Sequence, residues 1–82
     1  MQLEIITPDK TIFDGEVESA TFPGSKGSFQ VLKDHAALIS SLDKGKVSYK
    51  QNGVTEEITV NGGIVEVLNN HIILLAEEVV ED

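Results

Sequence analysis

The sequence predicts one small all-β domain, and three observations carry that prediction. Turn-forming residues recur about every eight to twelve positions, the spacing of short strands joined by tight connections. Between those turns polar and apolar residues alternate, as in Gln2–Thr7, where Leu3 and Ile5 share one face and Gln2 and Glu4 the other. Asn52-Gly53, flanked by two such runs, is the pair that a two-residue type I′ hairpin turn calls for. The 82 residues suffice for one domain. A domain of this size buries only about 60–65% of its unfolded surface, so its core is thin.

Pro8-Asp9-Lys10 ends the first strand, because proline has no N–H to give a ladder. Thr11-Ile12-Phe13 is a short second strand that stops at the turn pair Asp14-Gly15. Glu16–Phe22 is the third. Val17 and Phe22 have opposite parity, so both reach the core only through a change of register, expected as a bulge near Ser19. Pro23-Gly24-Ser25-Lys26-Gly27 has the residue types of a phosphate loop in the wrong order, with no helix clearly opening behind it, and reads as a flexible turn. Ser28–Leu32 is a strand with Phe29 and Val31 inward. The next segment is ambiguous. Asp34 as an N-cap and Leu38, Ile39 and Leu42 at helical spacing favour a helix. The alternative is one helical turn at Asp34–Ala37 and then a strand from Leu38.

Asp43-Lys44-Gly45 reads as a tight turn. Lys46–Gln51 and Val54–Val60 then pair around Asn52-Gly53. That register sets Val47 opposite Ile58, Tyr49 opposite Glu56 and Ser48 opposite Glu57. Val47, Tyr49, Ile58 and Val60 are predicted core; Lys46, Lys50 and Glu57 form a solvated face. Asn61-Gly62-Gly63 calls for unusual backbone angles or a close backbone approach. Ile64–Leu68 and His71–Leu75 make the last hairpin around Asn69-Asn70. Val65, Val67, Ile72 and Leu74 fill one side; Ile64, Leu68, Ile73 and Leu75 fill the other, beside Glu66 and His71. A hairpin apolar on both sides is central in a sandwich or covered by a partner, and the internal position is favoured. Ala76–Asp82 is an acidic tail expected to fray.

Composition removes several function classes. Six Lys plus Arg against fourteen Asp plus Glu give a net charge of −8. Such a surface repels phosphate backbones and anionic bilayers, so no nucleic-acid partner is expected, whereas a neutral or basic protein partner is compatible. There is no cysteine, which leaves no disulfide framework or thiolate metal site and fits a reducing compartment. Met1 is followed at once by alternating residues, with no leader pattern and no apolar run long enough to span a bilayer. A cytosolic protein is expected, one that reaches a membrane only through a partner.

Nothing in the sequence supports catalysis. His35 and His71 lie far apart without ligand spacing, so no metal site is expected. Asp34-His35 with Ser40 and Ser41 contains the residue types of a nucleophilic triad but no nucleophile elbow. The carboxylates fall on polar faces, where no burial raises a pKa for acid–base work. His35 reads as a corner histidine bonded to backbone; the alternative is a contact residue on a projecting loop.

Two stretches carry a family resemblance. Gly27-Ser28-Phe29-Gln30-Val31-Leu32-Lys33-Asp34-His35-Ala36-Ala37-Leu38 resembles the signature of the epsilon subunit of bacterial F-type ATP synthases (delta in mitochondria), Gly-x-apolar-Gly-Val-Leu-Pro-Gly-His-Ala-Pro-Leu. Asn61-Gly62-Gly63-Ile64-Val65-Glu66-Val67 is similar to the family's second motif, small/polar-Gly-Gly-apolar-apolar-Glu-Val. Leu3–Thr7, Phe13, Gly15 and Val17 match as well, so the resemblance spans the chain. Gln30, Lys33, Asp34 and Ala37 depart from it, all on or beside the corner loop.

The resemblance implies a sandwich or flattened barrel of about ten short antiparallel strands with at most one helical turn, and so a strand from Leu38. It also implies a non-catalytic central-stalk subunit that couples the gamma subunit to the membrane c-ring, peripheral on the cytoplasmic face of a bacterial inner membrane and monomeric in isolation. On that reading Ser28, Lys33, Asp34 and His35 lie toward the c-ring, Ser40 and Asn61 toward gamma, and Gly27, Gly62 and Gly63 are structural. No cofactor is implied. The family's helical hairpin would begin where this sequence stops, so neither its brake on hydrolysis nor its ATP site is expected. The competing reading is a lipoyl-type carrier domain with Lys44 at a hairpin tip; the two similar halves of such domains are not visible here.

Overall fold

The computed structural model describes residues 1–80. Eight strands form among them: β1 (Gln2–Ile6), β2 (Thr11–Glu16), β3 (Ser19–Phe22), β4 (Phe29–Leu32), β5 (Leu38–Gln51), β6 (Val54–Leu68), β7 (His71–Ala76) and β8 (Val79–Val80). They lie in the order β2-β1-β7-β6-β5-β3-β4, with β8 on β6. All pairs are antiparallel except β1 with β7, which run parallel. The described residues contain no helix.

Strands β5 and β6 decide the architecture. Fourteen residues at about 3.3 Å each would make a straight β5 about 46 Å long, yet the molecule's longest dimension is 28 Å. Both strands must bend, and burial shows where. Strand β5 turns Leu42 inward and then Val47 and Tyr49; β6 turns Val60 inward and then Val65 and Val67. The inward parity switches from even to odd in each strand, at segments that face one another: Leu42 pairs with Gly63 and Lys44 with Asn61. Gly62 and Gly63 supply the bend with φ of 93° and 154°, angles that residues with a Cβ rarely adopt. At Gly63 a Cβ would lie 2.5 Å from the Leu75 carbonyl oxygen.

Each long strand therefore serves two layers. The first part of β5 and the last part of β6 join β7, β1 and β2; the remainder joins β3, β4 and β8. Leu3, Ile5, Val65, Val67, Ile72 and Leu74 from the first layer and Ala20, Phe22, Val31, Val47, Tyr49 and Val60 from the second enclose a single core. The Phe13 and Tyr49 rings meet across the layers with centroids 4.5 Å apart.

The all-β sandwich expected from the sequence is what forms, with its bends differently placed. Asp43-Lys44-Gly45 is no turn but the bend inside β5; Gly45 stands there because a Cβ would lie 2.9 Å from the Pro23 ring. Asp14-Gly15 likewise stays within β2, Gly15 pairing with Leu3. Val17 and Phe22 both reach the core, through a break at Val17-Glu18 rather than a bulge near Ser19. At the break the Val17 N–H donates to the Met1 carbonyl at 2.8 Å and the Glu18 N–H to that of Lys50 at 2.7 Å. The acidic tail is tied down as far as Val80. Ala76 is buried, and β8 pairs with Thr59 and Val60; Glu81 and Asp82, also expected to fray, lie outside the described residues.

The hairpin around Asn52-Gly53 has the expected register, Val47 opposite Ile58 and Tyr49 opposite Glu56, and keeps it unbroken to Leu38 opposite Val67. Val47, Tyr49 and Val60 are buried, and Ile58 is half-buried.

Two outcomes follow from this packing. Gly63→Ala forces a Cβ against backbone and should cost about 3 kcal/mol or more, lowering Tm by roughly 12 °C or more; an unchanged melting curve would contradict the corner. Tyr49 is held above its ordinary pKa of 10.0, first by burial and then by the carboxylate of Glu56. The folded state thus keeps the phenol proton to higher pH than the unfolded chain, and stability falls as pH rises past about 10. Tyr49 is the sole tyrosine and there is no tryptophan, so phenolate absorbance reports it alone. Its midpoint should lie above 10.0 and fall partway back in Glu56→Gln.

Candidate functional site

The outer face of the first layer is apolar and uncovered. Facing away from the core, Ile39 of β5 is opposite Glu66 of β6, which is opposite Ile73 of β7, which is opposite Glu4 of β1. Ile64 faces Leu75 in the row beside it, and Leu68 faces His71 in the row on the other side. Ile39 is 73% exposed, Leu75 53%, Ile64 and Leu68 51% each. A groove of about 300 Å³ runs between Ala37, Ile39, Glu66 and Leu68. Contiguous exposed apolar side chains across three adjacent strands make this face a candidate docking surface. The internal position favoured for this hairpin on sequence is thus not the one it takes: one side packs into the core and the other is exposed.

The corner after β4 is the second feature. Asp34 has φ of 64°, a conformation outside the right-handed helix, so the helix favoured by pattern does not form. Its N–H donates to Asn70 Oδ1 at 2.6 Å, and Asn70 Nδ2 donates back to Asp34 Oδ1 at 2.8 Å. Asn69 and Asn70, both at positive φ, form the tip between β6 and β7. The corner is therefore clasped to that hairpin. The family signature has glycine where Asp34 stands, and the positive φ is the conformation a glycine would supply. The His35 N–H donates to the Leu32 carbonyl at 3.1 Å, and its Nδ1 lies 2.7 Å from the Ala36 carbonyl oxygen. Because a carbonyl only accepts, Nδ1 carries the proton in this contact. His35 is half-buried, while Lys33 and Asp34 are exposed.

The other sequence-selected residues regroup. Ser28 and His35 sit beyond opposite ends of β4, an edge strand. Ser28 lies instead beside Ser40, both lining a hollow of about 500 Å³ with Lys26, Gly27 and Ser41. Ser40 is half-buried and its Oγ donates to the Ser41 carbonyl at 3.0 Å. Asn61 is exposed at the bend, its N–H donating to the Glu78 carbonyl at 2.9 Å. Gly27 has φ of 127° with open space around it. Lys44 is mid-strand opposite Asn61, not at a hairpin tip, which removes the geometry that the lipoyl-carrier reading needs. Among the described residues no three His, Asp or Glu side chains gather as a metal site. What the surface offers chemically is docking.

The family model for the ATP synthase delta/epsilon chain, β-sandwich domain, matches residues 1–82. The chain belongs to that family. The ATP synthase epsilon chain of Chlorobaculum tepidum is 46% identical over 78 residues, covering 94% of this chain and 89% of that one. The epsilon chain of Nitratidesulfovibrio vulgaris is 42% identical over 77 residues, and this chain spans 58% of its length. Two solved structures share the fold. One is a chain of the central stalk/c-ring of the Tetrahymena thermophila mitochondrial ATP synthase, with TM-score 0.81 and 19% identity over 98% of this chain and 65% of that one. The other belongs to the OSCP/F1/c-ring assembly of the Euglena gracilis enzyme, with TM-score 0.89 and 22% identity over 95% of this chain and 51% of that one.

Sequence reasoning did not select Ile39, Ile64, Leu68, Leu75 or Asn70 as functional. The signal for three of them was the failure of Ile64–Leu68 and His71–Leu75 to alternate. Asn70 had none, since its partner lies 36 residues away. Asp34→Ala keeps the unfavourable φ and the backbone N–H bond but loses the bond that Asp34 Oδ1 accepts from Asn70 Nδ2, and should cost about 1–3 kcal/mol. Asp34→Gly relieves φ and should cost less. A wild-type melting temperature in Asp34→Ala would show that the clasp contributes nothing.

Proposed function

We propose that this domain is a non-catalytic element of the central stalk of a rotary ATP synthase, joining the gamma subunit to the c-ring. The observation that carries the reading is the uncovered apolar face of β5, β6 and β7. On this reading gamma is the partner that covers it. Ser40 and Asn61, the positions expected toward gamma, lie on the same two strands that bear Ile39 and Ile64. The clasped corner at Lys33, Asp34 and His35 is then the side toward the c-ring, while Ser28, expected there too, lies with Ser40. Among the described residues no helix is long and apolar enough to cross a membrane. The domain is held at the cytoplasmic face of a bacterial membrane by these two partners.

Such a part acts by shape. Torque passes through a body only if the body resists shear, and two layers sharing their two longest strands resist it. No nucleotide, metal or cofactor enters the mechanism.

Co-purification with gamma and with the c-ring tests the assignment. Ile39→Ser combined with Leu75→Ser removes apolar area from the gamma side and should weaken gamma binding about tenfold or more. Lys33→Glu with His35→Glu should release the c-ring while gamma stays bound. Attachment at wild-type strength in both pairs, with melting unchanged, would overturn the assignment.

A further inference from the structure

Glu66 occupies an unusual place on the apolar face. Ile39 and Ile73 flank it across the neighbouring strands, and Ile64 and Leu68 flank it along its own. It is exposed, and among the described residues it takes part in neither ion pair: those are the Met1 amino group with Glu16 and His71 with Glu4. An exposed carboxylate is satisfied by water. Once a partner covers the patch, the central residue loses that water first, because its neighbours on four sides are apolar. A desolvated and unpaired carboxylate opposes binding strongly.

Resting on the reading that gamma covers this face, we infer that Glu66 is its polar anchor, and that gamma presents an arginine or lysine there within an apolar surround. Arginine fits best, because its planar fork satisfies both carboxylate oxygens at once. The apolar ring supplies affinity, and Glu66 sets position and excludes partners lacking the cation. The same charge argues against self-association through this face. A two-fold axis through the patch centre would set Glu66 against its own copy, with Glu4 of each chain close by.

Binding of the gamma subunit to the domain, measured by calorimetry over a salt series, tests this. Glu66→Gln keeps the shape and removes the charge; it should weaken binding about 30-fold or more and flatten the salt dependence, while melting is unchanged. Glu66→Asp should recover part of the loss. Ile39→Ser serves as the control for the face itself. If it weakens binding while Glu66→Gln binds gamma as the wild type does, the cation is wrong and the docking face stands. If neither variant weakens binding, the docking face is wrong and the anchor falls with it.

Discussion

The bend at Gly62-Gly63 is the constraint on which the rest depends. Strands β5 and β6 keep one register from the Asn52-Gly53 hairpin to Leu38 opposite Val67. A single register over that length would ordinarily place one set of side chains on one face throughout. The left-handed backbone at Gly62 and Gly63 breaks that rule once, where Leu42 lies opposite Gly63 and Lys44 opposite Asn61. One ribbon then lines both layers of the sandwich, with Val47 and Val60 inward before the bend and Val65 and Val67 inward after it. Without the bend the ribbon would be longer than the molecule, and its apolar residues would be divided between two faces.

The same switch creates the surface. Beyond Gly63 the even-numbered residues of β6 point outward, and those residues are Ile64, Glu66 and Leu68. Before it, the outward positions are Thr55, Glu57 and Thr59, which are polar. The outward side of β6 is therefore soluble in one layer and apolar in the other. Fold and docking face share one cause, a reversal of strand parity at two glycines.

How much of this could be read from the chain follows from the range of each interaction. Leu3 and Ile5 inward, the Val47–Ile58 pairing and the Asn69-Asn70 tip depend on neighbours in sequence or on a two-residue loop, and these were legible. Asp43-Lys44-Gly45 misled because turn chemistry and a crowded strand both select glycine; only the Pro23 ring distinguishes them, and that contact is long-range. Strand β8 is two residues long and pairs with Thr59 and Val60, well back in the chain, too little for any periodicity. The face on β5, β6 and β7 left a trace in the lack of alternation, but which side met solvent depended on the layer order. The family motifs supplied the fold and the strand from Leu38. They did not show that Ser28 lies with Ser40 and apart from His35, since proximity across a bent ribbon leaves no pattern in sequence.

The clasp between Asp34 and Asn70 joins these lines. A glycine at position 34 would give the corner its backbone angle and only the N–H bond to Asn70 Oδ1; aspartate accepts the strained angle and adds a second bond, its Oδ1 accepting from Asn70 Nδ2. Asn70 is also fixed from below, because its carbonyl accepts the Gln2 N–H at 2.9 Å. The corner beside the β4 edge is thus tied to the tip of the hairpin that carries Ile64, Leu68 and Leu75. If the edge and the face contact different neighbours, a load applied at one reaches the other through short polar contacts on strands already locked by the core. A hinge at position 34 would dissipate such a load in loop motion. Replacing the permissive residue by one that adds a bond across the gap shortens the path between the edge and the face.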